Sequence, residues 1–333
     1  MERQCSIDDI DDNGPMLHLR LITPATRTGE VIAALDQCAG TTNLVVLPGA
    51  ARLPEGDLIF CDVARESANE VIDRLGWLKE EGSIAVEQVD LALSRVADEA
   101  VEEAPGEPED AVVWAEFAQK MADDSRVTWA YLVFLVIATM LAAIGVLQNS
   151  LILIVGAMVL GPEFGAIAAV CFGLLGRDRR LIAGSLRTLI IGFAIAIAVT
   201  FACALALRGL GWIGPHHLRV NEEVQFIVKP DRWSFIVALL AGVAGVLSIT
   251  AGKSSALIGV FISVTTVPAA GFAAVALALG DWPEVAGSVS QLALNIAGML
   301  IAGTGTLMVQ RGFWPQVGRG SSLRPMRERE AGG

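Results

Sequence analysis

Five stretches of the chain, residues 127–147, 188–207, 233–252, 254–280 and 285–310, run without one charged side chain, and a sixth, 150–176, is interrupted only by Glu163. At about 1.5 Å per residue each is long enough for a helix to cross roughly 30 Å of hydrocarbon. Inside lipid a backbone must satisfy its own polar groups, which leaves the helix as the economical solution for such runs. The fold class that follows is an α-helical polytopic membrane protein with about six spans. The composition agrees, with 53% hydrophobic residues and a mean hydropathy of +0.57.

Charge divides the chain in two. Residues 1–126 hold 10 Lys and Arg against 27 Asp and Glu, and residues 127–333 hold 14 against 9. Neither part offers the dense cationic face that nucleic acid requires, so no nucleic-acid partner is expected. Cys5, Cys38, Cys61, Cys171 and Cys203 include no CxxC pair, and neither a disulfide framework nor a metal site is expected of them. The first 15 residues are acidic and polar, and read as a disordered tail without a signal peptide.

Residues 16–95 alternate between short period-two runs and helical runs. LHLRLITP (17–24), TTNLVVLPG (41–49), LIFCDVA (58–64) and SIAVEQVD (83–90) read as strands, with helices over 27–38 and 67–78. The order β-α-β-β-α-β is that of a ferredoxin-like α+β unit. Its one candidate base, His18, is read as structural. Residues 96–126 read as an acidic linker, ADEAVEEAPGEPED, followed by an amphipathic helix in which Trp114, Phe117, Ala118 and Met121 share a face. The membrane domain covers 127–311, and 312–333 form a basic tail. Cations at Arg177, Arg179, Arg180, Lys253, Arg311, Arg319, Arg324, Arg327 and Arg329 favour cytoplasmic termini.

The membrane part resembles itself. Gly145, Val146 and Leu147 precede Gly245, Val246 and Leu247 by 100 residues; Pro162, Gly165 and Ala168 precede Pro268, Gly271 and Ala274 by 106; and the AGS of 183–185 precedes that of 286–288 by 103. Units of three spans repeated in this way insert in opposite orientations, giving a 3+3 inverted repeat. Pro162 and Pro268 lie near the middle of their apolar runs, so the second and fifth helices are expected to be broken there. Glu163 is the one acid deep in a span, and such residues ordinarily face a functional cavity. The candidate transport or ligand residues are therefore Asn149, Ser150, Pro162, Glu163, Gly165, Lys253, Ser254, Ser255, Thr265, Thr266, Pro268 and Asn295, with Gln291 a further polar neighbour. His216 and His217 share an outer loop with Glu222 and Glu223, and read as solvated.

NSLILIVGAMVLGPEFGAIAAVCFGLLGRDRRLIAGSL (149–186), AGKSSALIGVFISVTTVPAAGFAAVALALGDW (251–282) and LALNIAGML (292–300) together resemble the membrane domain of the family known as domain of unknown function 389. The likeness runs over about 127–310. It implies a bacterial or archaeal membrane protein with a soluble N-terminal domain, and no particular activity. The expected function is a transporter or channel for a small solute or ion, gated by the soluble domain. The alternative is a non-transporting oligomeric sensor or scaffold that binds a small ligand through that domain. With no HExxH, no GxSxG and no paired aspartates in the spans, no enzyme and no cofactor are expected. Uncovered apolar faces on six spans predict a homo-oligomer in the lipid bilayer.

Overall fold

The computed structural model describes residues 16–89, 94–104, 112–214, 232–251 and 265–321, with side chains as far as residue 312. Lys253, Ser254, Ser255 and the paired histidines lie outside the described residues. The chain divides into two compact units, Met1–Phe117 with Phe313–Gly333, and Ala118–Gly312.

The first unit holds strands β1 (Met16–Thr23), β2 (Thr41–Arg52), β3 (Glu55–Ala64) and β4 (Ser83–Val89), and helices α1 (Thr28–Asp36), α2 (Ala68–Arg74) and α3 (Leu78–Glu81). The strands form one sheet in the order β2-β3-β1-β4, every neighbour antiparallel. Period-two alternation sends Leu19, Leu21, Ile59, Cys61 and Val63 to one face, where they meet Val31, Leu35, Val71, Leu75 and Leu78 from the helices. Burial of each such aliphatic side chain is worth about 1.5–3 kcal/mol. The single helix expected over 67–78 is instead two, α2 and α3, and the weak helix former Gly76 stands at the break.

Residues 97–103, expected to belong to a solvated linker, lie in helix α4 (Arg95–Glu103). Its Ala97, with Ala104 just beyond its end, packs against Met16 and Ala64. Glu99, Glu102 and Glu103 of this segment are exposed, and its alanines allow the close approach. Helix α5 (Trp114–Asp124) follows. Asn69 ties its entry to the sheet unit, donating to the Val112 carbonyl at 2.7 Å and accepting from the Trp114 N–H at 3.0 Å.

The second unit contains α6 (Trp129–Leu147), α7 (Leu151–Leu160), α8 (Glu163–Gly176), α9 (Arg179–Gly209), α10 (Arg232–Thr250) and α11 (Thr266–Leu279), and α12 (Trp282–Ser321) extends from it. Four of these, α6, α9, α10 and α12, are long and apolar enough to cross a membrane, and α7 with α8, bent by 49°, makes a fifth. The expected fifth run, 254–280, is described only from Thr265 onward, so the described residues support four to five spans. Helix α9 begins at Arg179 rather than 188, because Asp178 caps its first turn and Arg187 is carried on the helix. Helix α12 likewise continues into the expected tail, to Ser321. Phe134, Ile190, Leu240 and Ile301 lie exposed on the helix surfaces, and Trp129, Trp212, Trp233 and Trp282 stand exposed at or near helix ends, where a membrane interface would hold them.

Three helix starts recur at one interval. Trp129 and Arg232, Glu163 and Thr266, and Arg179 and Trp282 are each 103 residues apart, and the first two pairs of helices have equal lengths of 19 and 14 residues. The 100- and 106-residue matches read from the sequence are each displaced from this interval by three residues. Pro268, expected at a break of the fifth helix, follows a stretch, 252–264, that lies outside the described residues. It lies in the first turn of α11, and Pro162 is the N-cap residue of α8, positions where a missing N–H costs little.

Contacts fix the helix directions. Tyr131 faces Gly192 and Ala143 clusters with Ala204, so α6 and α9 run parallel. Gly271 faces Thr139 and Ala143, and Val275 and Ala278 join Ala143 and Leu147, so α11 runs with α6. Helix α8 turns back into α9 through Gly173 and Ile182. Helices α8 and α11 therefore run in opposite directions.

Two outcomes test these contacts. A Cβ at Gly271 would stand 2.8 Å from the Ala143 nitrogen and the Thr139 carbonyl oxygen, both backbone. Gly271→Ala should therefore destabilise the membrane unit by about 1–3 kcal/mol, read as a fall in melting temperature in detergent, while Gly156→Ala, with nothing within 4 Å, should not. In the sheet unit, the Thr28 hydroxyl and the Gly49 N–H, at 2.5 and 2.8 Å, hold the Asp57 carboxyl below its usual pKa. A depressed carboxylate stabilises the fold above its unfolded pKa of about 3.9 and loses that contribution as pH falls through the folded value. Asp57→Asn should lower sheet-unit stability at pH 7 and flatten its decline as pH falls below the unfolded value of about 3.9, measured by circular dichroism melts at acidic pH.

Candidate functional site

Three helices of the second unit that begin at exposed or half-exposed residues carry side-chain caps. Thr128 accepts from the Tyr131 N–H, Ser150 from Leu153, and Asp178 from Arg180 and Leu181. Helices α8 and α11 have no side-chain cap, although the residues that open them, Glu163 and Thr266, are buried. A helix leaves its first N–H groups without intrahelical partners, and burying such an end uncapped is costly. The two uncapped ends meet. Thr266 Oγ1 donates to Glu163 Oε1 at 2.5 Å, so two residues at the same repeat position are bonded to each other.

The second oxygen of Glu163, Oε2, has no hydrogen-bond partner among the described residues. It lies against Gly161, and a Cβ on that glycine would overlap both the carboxylate and Val267 Cγ2. Gly161 thus gives the carboxylate its seat. Next to Thr266, Thr265 Oγ1 accepts from Asn295 Nδ2 at 2.8 Å and from Gln291 Nε2 at 3.2 Å. Gln291 and Asn295 lie four apart on one face of α12, both buried, and Gln291 Oε1 is also unpartnered among the described residues. Glu163, Thr265, Thr266, Gln291 and Asn295 therefore converge on the start of α11.

The first helices contribute two further groups. The hydroxyl of Tyr131 is buried without a hydrogen-bond partner among the described residues and lies within electrostatic reach of Glu163. A Cβ at Gly192 would stand 3.0 Å from that hydroxyl, and Gly192 is the position 103 residues before Asn295. Asp124, at the end of α5, packs its carboxyl against Gly165, where an added Cβ would lie 2.7 Å from Oδ2. Burial pushes the Asp124 carboxyl above its ordinary pKa, with Asp123 adding to this and Lys120 opposing it.

Not every expected residue joins the cluster. Asn149 adopts a left-handed conformation (φ 49°) in the turn between α6 and α7, and Ser150 caps α7. The ten residues of α7, about 15 Å of helix, stand between Ser150 and Gly161. Pro162 and Pro268 shape the two helix starts without offering a polar group. Sequence reasoning did not single out Tyr131 or Asp124. The signal for Tyr131 was its being the only tyrosine in the chain.

In the first unit, His18 Nδ1 is 2.6 Å from Asp62 Oδ1, and Asn43 donates to Asp62 Oδ2 at 2.7 Å. The His18 ring stacks on Phe60 with centroids 5.4 Å apart. This group lies on the sheet face opposite the buried Leu19, Leu21 and Cys61, half-exposed to solvent.

Comparison with known proteins bears on the second site. The model of the family described as Domain of unknown function (DUF389) matches residues 158–301, which include every residue of the Glu163 cluster except Tyr131 and Asp124. The uncharacterized protein MJ0678 of Methanocaldococcus jannaschii is 27% identical over 170 residues, 50% of this chain and 49% of that protein. The chain thus spans about half the length of the curated relative it matches. No solved structure matches it. The Glu163 and Thr266 helix starts both lie inside the segment, residues 158–301, that is similar to the DUF389 family.

Proposed function

We propose that the protein is a membrane transporter or channel for a small solute or ion, built as two inverted three-span repeats around the Glu163 cluster. The observation that carries this reading is the hydrogen bond between repeat-equivalent Glu163 and Thr266, joining the uncapped starts of two helices that run in opposite directions. Reciprocal packing supports the inverted repeat. Gly271 of α11 packs on α6 and Phe164 of α8 packs on Gly245 of α10; Gly192 of α9 meets α6 and Gly298 of α12 meets α10. Arg208 of α9 donates to the Ala278 carbonyl of α11, and the Cys171 thiol of α8 to the Leu300 carbonyl of α12. Exchanged pairs of this kind are the mark of a two-fold relation. Half-helices whose starts face one another are a recurrent way to build a substrate site in transporters.

The sheet unit, on this reading, is a ferredoxin-like regulatory domain, supported by its β2-β3-β1-β4 order and the covering helices α1, α2 and α3. The loop cations favour cytoplasmic termini in a prokaryotic inner membrane, and the exposed apolar helix surfaces favour a homo-oligomer. The half-exposed His18, Asp62 and Asn43 group favours a second reading, an oligomeric sensor that binds its ligand on the sheet without transport.

Reconstitution separates the two. The full chain in liposomes, assayed against a panel of inorganic ions and small metabolites, should give a saturable flux that Glu163→Gln alters at least tenfold or strips of its pH dependence. Absence of any flux from an intact, correctly inserted oligomer would leave the sensor reading in its place.

A further inference from the structure

The sign of the ligand can be argued from the dipoles at the site. An α-helix carries about half a positive charge at its N-terminus, and α8 and α11, 14 residues each, bring two such ends together. Their sum is about one unit of positive charge, and the Glu163 carboxylate between them supplies one negative charge. The seat as it stands is thus close to neutral. Adding a cation would leave it charged in a buried place, and adding an anion beside the carboxylate would do the same. An anion in place of the carboxylate would not.

The geometry agrees with replacement. Glu163 is 6% exposed, and its Oε2 is packed against Gly161 with no hydrogen-bond donor among the described residues. Tyr131, 9% exposed, brings a hydroxyl with no partner among the described residues. That hydroxyl and the one on Thr266 can donate, as can first-turn N–H groups, whereas Pro268 has none to give. Amide nitrogens of Gln291 and Asn295 also point toward the start of α11, engaged with Thr265. This is a donor-rich seat at converging helix starts, of the kind that binds anions, and it is filled by a side chain of the protein.

We propose that Glu163 is a tethered occupant of an anion site, and that a small monovalent anion enters when Glu163 takes up a proton and withdraws, one proton for one anion. The proton comes from water and rests on the Glu163 carboxyl; no bond other than O–H is made or broken. The titratable groups that approach Glu163 among the described residues are Tyr131 from α6 and Asp124, which packs on Gly165 of the same helix. Helices α7 and α11 contain no ionisable side chain, α10 only Arg232 at its start, and Arg187 of α9 is exposed. The inference rests on the transporter reading for its use, though the binding it predicts does not require flux.

The test uses the full chain in detergent, titrated with chloride and with nitrate by calorimetry from pH 5 to 8, beside Glu163→Gln, Thr266→Val and Asp124→Asn. Linkage of one proton to one anion predicts wild-type affinity rising about tenfold per unit fall in pH across the range where Glu163 titrates. Glu163→Gln should bind chloride with an affinity independent of pH. Thr266→Val removes one donor from the carboxylate and from the entering anion alike, so it should retain the slope, and Asp124→Asn should match wild type. A flat wild-type profile, loss of anion binding in Glu163→Gln, or a slope abolished by Asp124→Asn would overturn the proposal. So would sodium binding that Glu163→Gln removes. Should Glu163→Gln not fold, the wild-type slope and Thr266→Val decide. Chloride binding without flux would reject transport and keep the site; cation flux without chloride binding would do the reverse.

Discussion

A helix that starts in the interior of a protein must do something with the N–H groups of its first turn, which no carbonyl of its own can reach. At the exposed or half-exposed starts of α6, α7 and α9 a threonine, a serine and an aspartate supply the missing acceptors. At α8 and α11 the chain supplies a carboxylate held between two helix starts. Much of the surrounding sequence follows from that arrangement. Gly161 leaves room for the carboxylate, Gly165 for Asp124, and Gly271 for the backbone of α6. Proline occurs at each start because the first turn is where its missing donor is cheapest.

The same constraint accounts for the small-residue character of the unit. Helix α11 is buried over nearly its whole length, with Ala269, Ala270, Ala273, Ala274, Ala276 and Ala278 almost fully covered. Association between helices in lipid gains nothing from hydrophobic transfer, so close backbone approach through Ala and Gly supplies the packing. A buried carboxylate is tolerable only when that packing holds its partners still. Thr265 and Thr266 do so from one side by accepting the amides of α12 and donating to Glu163.

How much of this could be read from the sequence depended on whether the signal was chemical or geometric. Glu163 was legible because a lone acid in an apolar run has few bland explanations. Thr266 was only one of several polar neighbours, since a threonine in a span as readily bonds its own helix, as Thr139 does to Leu135 at 2.7 Å. The repeat was legible in order but slipped by three residues in two of its three matches. In a chain of Ala and Gly, one helical turn brings similar residues back to the same face, and only the helix starts fix the interval at 103. The segment at 97–104 was read as linker because its acids and the prolines after it masked Ala97, Ala100 and Ala104, a spacing that marks one helical face. Asp124 stood in a run with Asp123 that reads as solvated surface, and nothing in the sequence placed it against Gly165.

The central claim is that α8 and α11 meet at their starts and run apart, related by the proposed two-fold. Spin labels at Leu174 and Leu277, repeat-equivalent and eleven residues beyond the starts of the two helices, test it in a chain freed of its native cysteines. At about 1.5 Å per residue, each label stands roughly 17 Å from the meeting point. Double electron–electron resonance on the full chain in nanodiscs should therefore return a distance on the order of 30–35 Å. A distance near 10 Å, the separation of helices packed side by side in the same direction, would contradict the account.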